Sequence, residues 1–261
     1  MSKKTEKRTP AKKPRAALVV VAGESPMVEE FAAVCLRHGY AVRAAINQNP
    51  SSRSTLPAVS LSSGGAILKS ASVVIEVTNV AAEIKRTNLR RIDALLPSTA
   101  PILSSSVTVS ATEQASWIQH KHRLVGMGFL PGLADVPLVE VAPTVFSPPA
   151  TVEVVTRFLA SLGKATEIVQ DRVGLVFPRV ICQMVNEAAF AIAEDVAGPR
   201  DIDEALKLAL NHPRGPIEWA ERVGLQQVLG VLTALQREHG GERYRIAPLL
   251  RQMSYAGEWW K

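Results

Sequence analysis

L-V-V-V-A-G-E-S-P-M-V-E-E-F-A-A-V-C-L-R-H-G-Y, residues 18–40, decides the architecture. A short apolar run closes on a Gly, Ser and Pro turn, after which Met27, Phe31, Val34 and Cys35 recur at the spacing of one helical face. Ser25 is a good N-cap, Pro26 a good first helical residue, and Gly39 a stop. Further apolar runs at residues 41–46 and 71–77 read as strands, and residues 81–96 and 110–120 read as helices between them. Such alternation predicts a mostly parallel, doubly wound sheet with ligand sites at the carboxyl ends of its strands.

A second stretch, G-M-G-F-L-P-G-L-A-D-V-P-L-V-E-V-A-P at residues 126–143, reads as two short strands, 124–130 and 136–142, joined by a Pro/Gly turn. Glu140 stands inside the second apolar run. A buried carboxylate is costly unless it is paired, so Glu140 is either an active-site group or a strand residue whose outward face is wet.

From residue 151 the pattern turns helical. T-V-E-V-V-T-R-F-L-A-S-L-G-K ends at Gly163, a C-cap glycine. Residues 175–197 fit one long helix on Val176, Val180, Met184, Ala188, Ile192 and Val196, with Pro178 in its first turn. Residues 228–235 and 246–253 read as two more helices. Trp219, Tyr244, Trp259 and Trp260 are expected in core or interface positions.

Composition narrows the class. The 261 residues are 47% hydrophobic and 21% charged, ordinary for a globular protein. No apolar run is long enough to span a bilayer and no secretory signal is read, so a cytoplasmic protein is expected. Cys35 and Cys182 lack any partner spacing, which points to a reducing compartment and to no metal site. The net charge of +6 resides wholly in residues 1–15, which hold seven bases and one acid; the remainder carries 23 of each. Such a segment is expected to be a disordered basic tail, with nucleic-acid contact as the sharper reading of it.

Several segments resemble the short-chain 3-hydroxyacyl-CoA dehydrogenase family. Residues 126–143 are similar to its G-x-H-F-F-N-P turn followed by L-V-E, with Glu140 in the Glu position twelve residues after Gly128, which takes the His position. A-S-V-V-I-E-V-T-N-V-A-A-E-I-K, residues 71–85, keeps Glu76 and Lys85 at the family spacing, and S-S-S-V-T-V-S-A-T-E-Q-A, residues 104–115, resembles S-N-T-S-S-L-S-I-T-E-L-A. R-D-I-D-E-A-L-K-L-A-L-N-H-P-R-G-P-I-E-W-A-E-R-V-G-L, residues 200–225, resembles the second domain of the family, with Pro213, Gly215 and Pro216 forming a stiff turn.

The resemblance implies an N-terminal Rossmann-like doubly wound sheet, residues 16–172, followed by an all-helical C-terminal domain, residues 173–261. It implies NAD as cofactor, an acyl-CoA ligand, fatty acid metabolism, and a homodimer through the helical domain. Glu140 is the retained catalytic residue; Gly23, Ser25, Asn47 and Glu76 are the candidate cofactor contacts, and Ser105 and Thr108 the candidate substrate contacts. At the three glycine positions of the dinucleotide fingerprint stand Val21, Gly23 and Pro26, and Glu24 places a negative charge where a pyrophosphate would lie. The family's helical Asn, turn Asn and substrate Ser are here Pro178, Pro131 and Val107. Thr108, next to Val107, would face the other way in a strand. Of the five histidines, His38, His120, His122, His212 and His239, none takes the base position, and His122 is the one candidate replacement. Three functions are therefore expected in this order: a family member that has lost dehydrogenase activity and acts as a binding or structural partner in acyl-CoA metabolism; an active NAD-dependent oxidoreductase turning a 3-hydroxyacyl-CoA into a 3-oxoacyl-CoA through a non-standard site; and a nucleic-acid-associated protein.

Overall fold

The computed structural model describes residues 17–47, 56–132, 134 and 136–257. The expected basic tail, Trp259 and Trp260 lie outside these residues. In chain order the elements are β1 (Leu18–Gly23), α1 (Met27–Arg37), β2 (Ala41–Ile46), α2 (Gly65–Lys69), β3 (Val73–Val77), α3 (Ala82–Leu95), β4 (Ile102–Ser105), α4 (Ala111–Ser116), β5 (Leu124–Met127), β6 (Leu138–Pro143), α5 (Pro149–Ser161) and β7 (Ala165–Ile168). Five helices follow: α6 (Phe177–Ala193), α7 (Pro199–Leu210), α8 (Pro216–Val223), α9 (Leu225–His239) and α10 (Pro248–Ala256).

The seven strands form one sheet in the order β2-β1-β3-β4-β5-β6-β7. Only the β5–β6 pair is antiparallel. β1 is buried on both faces, which is why its sequence is an unbroken apolar run. Val19 and Val21 pack with Met27, Phe31 and Cys35 of α1, while Val20 and Ala22 pack with Leu89 and Ile92 of α3. The α1-side core continues into the helical half through Ile181, Cys182, Val185, Val228 and Leu232. The Rossmann-like sheet followed by a helical domain is therefore the architecture expected from the sequence.

Several boundaries differ, each for a local reason. Pro26, not Ser25, is the N-cap of α1, and it makes no side-chain cap; the Ser25 hydroxyl donates to Glu29 instead, at 2.8 Å. The helix expected over residues 110–120 stops at Ser116, because the Asp93 carboxylate takes the Gln119 and His120 amides out of any helical ladder. Residues 165–168 form an unforeseen edge strand whose side chains are mostly exposed. The helix expected over residues 175–197 is α6, Phe177–Ala193, whose buried face is Ile181, Cys182, Val185, Ala188 and Ala189; of the expected stripe, Val180 faces outward and Val176 and Val196 are exposed beyond its ends. Trp219 and Tyr244 are buried in the core. No described helix is long and apolar enough to cross a membrane.

Candidate active site

β2 and β3 lie on either side of β1, so the carboxyl ends of β1 and β3 bound the crevice where such sheets take their ligands. There the two strands touch. A Cβ on Gly23 would stand 2.6 Å from the Val77 carbonyl carbon, and Gly23 adopts φ +139°. Gly23 is thus required by strand packing alone.

The next residue fills the crevice. Oε1 of Glu24 accepts the Val80 and Ala81 amides, both at 3.0 Å, and Oε2 accepts the Asn79 amide at 3.1 Å and Gln227 Nε2 at 2.9 Å. These amides lie in the turn that leads into α3, whose N-cap, Ala81, offers no side-chain acceptor of its own. A carboxylate placed there satisfies orphan donors and meets the positive end of the helix dipole. At α1, Pro26 has no amide hydrogen to offer, and Glu29 and Glu30 add negative charge to the first turn. Arranged in this way, the residues do not fit a pyrophosphate, which could enter only by displacing Glu24.

The other expected cofactor contacts are engaged internally. Asn47 donates to Thr78 Oγ1 at 2.7 Å and accepts from Asn88 Nδ2 at 2.8 Å. Glu76 is fully buried and paired with Lys85, which also donates to Ser104 Oγ at 3.1 Å. Ser104 in turn donates to Gln114 at 2.6 Å. Glu76 and Asn47 therefore belong to one polar cluster beneath the strand ends. Such a buried pair holds only while both partners remain.

At the β5–β6 pair the expected juxtaposition is present. The Gly128 amide donates to the Glu140 carbonyl at 3.0 Å, which sets the two residues opposite one another across the strands. The Glu140 carboxylate, only 7% exposed, accepts the Val176 amide at 3.0 Å and the Phe177 amide at 2.7 Å. It thereby caps α6, whose own N-cap, Val176, supplies no side-chain acceptor. The reading of a strand residue with a wet outward face gives way, because the side chain is buried and holds the start of α6.

The space above Gly128 is closed. A Cβ there would lie 3.1 Å from Glu140 Oε2 and 3.3 Å from Leu175 Cδ1. Leu175, Val107 and Pro178 are themselves buried. Ser105 Oγ donates to the Phe129 carbonyl at 3.2 Å, and Thr108 Oγ1 to the Asn79 carbonyl at 2.7 Å, so both expected substrate contacts have backbone partners. β4 ends at Ser105, so Thr108 is oriented by a turn and not by strand alternation.

None of the histidines reaches this position. His120 precedes and His122 sits within the short turn before β5, at the opposite end of the strand, and His120 lies beside Asp93. Burial works to raise the Asp93 carboxyl, but hydrogen bonds from Arg123 and the Gln119 amide outweigh it and hold the group below its ordinary value. His38 bonds the Val34 carbonyl, and His239 stacks on Tyr244. Burial pushes the Cys35 thiol up to about 12, so it is not a nucleophile at neutral pH. No group of three or more His, Cys, Asp or Glu that could hold a metal ion stands together among the described residues.

Comparison with known proteins agrees with the fold. Residues 46–172 match the family model described as 3-hydroxyacyl-CoA dehydrogenase, NAD binding domain, and residues 174–260 match its C-terminal domain. The first match begins after the β1–α1 turn that carries Glu24. The chain is 33% identical over 187 residues to a probable 3-hydroxybutyryl-CoA dehydrogenase of Bacillus subtilis, covering 72% of this chain and 65% of that protein. It is 31% identical over 191 residues to the 3-hydroxybutyryl-CoA dehydrogenase of Clostridioides difficile, covering 73% and 68%. The crystal structure of (S)-3-hydroxybutyryl-CoA dehydrogenase from Ralstonia eutropha superposes with a TM-score of 0.77 at 27% identity, over 93% of this chain and 94% of that one. The sheet is thus of the NAD-binding type expected from the sequence, and the chain belongs to the 3-hydroxyacyl-CoA dehydrogenase family.

Proposed function

We propose that this chain no longer transfers hydride and acts as a binding or structural partner in acyl-CoA metabolism. The observation that carries this reading is the Glu140 carboxylate: it is committed to the Val176 and Phe177 amides, and the space above Gly128 is filled by Glu140 and Leu175. Oxidising a 3-hydroxyl requires a group that accepts its proton as hydride leaves. Glycine, valine and proline at positions 128, 107, 131 and 178 cannot do so.

A binding role is supported by a cavity of about 290 Å³ between α9 and the connections that follow β3 and β4, lined by Thr108, Val109, Gln226, Thr233 and Arg237 among others. Arg237 offers a cation to an anionic group of an acyl-CoA ligand. Assembly as a homodimer through the helical domain is part of the same reading, and the exposed Val176, Val180, Val196, Leu208, Leu210 and Tyr255 support it. The competing reading, an active NAD-dependent 3-hydroxyacyl-CoA dehydrogenase, draws its support from family membership.

The test is a turnover assay with NADH and acetoacetyl-CoA. No loss of nicotinamide absorbance is expected, with native or Glu140→Gln protein. Turnover by the native chain that Glu140→Gln abolishes, with its fold intact, would favour the dehydrogenase.

A further inference from the structure

The Glu24 contacts reach beyond one helix terminus. Three successive amides, those of Asn79, Val80 and Ala81, form a cradle for an anion at the start of α3. The fourth donor, Gln227, comes from α9 and lies 203 residues away in the chain. Gln227 Oε1 accepts Asn79 Nδ2 at 3.0 Å, Asn79 also donates to the Phe129 carbonyl at 3.1 Å, and Thr108 bonds the Asn79 carbonyl. One carboxylate thus ties together the end of β1, the β3–α3 turn and the helical half, and its Asn79 neighbour reaches the segment after β5. Asn79 is 3% exposed, yet its Oδ1 has no hydrogen-bond partner. A buried acceptor without a donor carries a desolvation cost, so the closed arrangement leaves one polar atom unsatisfied.

The geometry points to Glu24 as a built-in anion that latches the cleft between the sheet and α9. It occupies the cradle that a phosphate-bearing ligand such as a dinucleotide would use. Such a ligand binds only as the carboxylate leaves, and the domains loosen in the same step. This latch is independent of the missing proton acceptor. A variant that admits NADH still performs no chemistry if the catalytic reading holds.

Binding, not turnover, is therefore the readout. NADH and ADP are titrated calorimetrically into the full chain as native protein, Glu24→Thr and Glu24→Gln, and amide hydrogen exchange is followed at residues 79–81. Glu24→Thr is expected to bind both ligands at least about tenfold more tightly than the native chain, Glu24→Gln by a smaller factor, and amides 79–81 are expected to lose protection. Native protein that binds NADH as tightly as Glu24→Thr would overturn the latch, as would unchanged protection of those amides. Should Glu24→Thr fail to fold, Gln227→Ala removes the α9 arm and leaves the three backbone bonds. Tighter NADH binding with faster exchange at the start of α9 supports the latch, and no change in either overturns it.

Discussion

The α7–α8 pair and the β5–β6 pair both carry a carboxylate that caps a helix, Asp203 within α7 and Glu140 within β6, yet they stand differently toward the family pattern. In the first, Asp203, Gly215, Pro216 and Glu218 each have a structural task. Asp203 accepts the Ile217 and Glu218 amides at 2.8 and 3.0 Å, Glu218 returns to the Gly215 amide, and Pro216 opens α8. In the second, Glu140 stands opposite Gly128 and accepts the Val176 and Phe177 amides. The α8 cap is closed by side chains on both of its helices, whereas Gly128, opposite Glu140, has no side chain that could accept a proton. Glu24 and Asp171 belong with Glu140: Asp171 takes the Ala111 and Thr112 amides of α4, both at 2.7 Å. Carboxylates distant in sequence serve here repeatedly as helix caps.

Substitutions can break this contrast. The largest effect is expected at Gly215, where an added Cβ would meet the Asp203 backbone at 2.5 Å as well as its carboxylate. Gly215→Ala should cost about 3 kcal/mol through overpacking, a fall of roughly 6–12 °C in melting temperature. Glu140→Ala frees two amides at the start of α6 and should cost about 2 kcal/mol. Thermal melts measure both. A Glu140→Ala protein that melts with the native one would remove the capping role and return the residue to the cleft.

Acid titration gives a smaller effect. The Asp93 carboxyl is held below its ordinary value in the folded protein, so it contributes stability that is fully present above pH about 4. That contribution is lost as the pH falls through the depressed value. Melting temperature should decline more steeply below that range in the native protein than in Asp93→Asn. Least of all, His122→Gln should change neither stability nor any activity, since His122 lies at the far end of β5.

Strand and helix alternation was legible because both faces of β1 are apolar and α1 has one apolar face. β7 was not, since its exposed side chains leave no apolar signal, and α6 misled because it carries apolar residues on its outward face as well. The meeting of Gly128 with Glu140 was implied by the family resemblance. Its consequence was not, because the partners of Glu140 are backbone amides 36 and 37 residues further on, and any residue but proline supplies an amide. Glu24 was legible as a misplaced charge. Gln227 and Asn79, which complete its contacts, carried no local signature at all.

Without a proton acceptor opposite Glu140, hydride transfer is expected to fail even where the cofactor binds. Its most direct measurement is NADH consumption with acetoacetyl-CoA by the Glu24→Thr chain, after NADH binding to that variant has been shown. Binding without turnover is the result predicted. Steady loss of NADH, abolished by adding Glu140→Gln to a chain that still folds, would contradict the account.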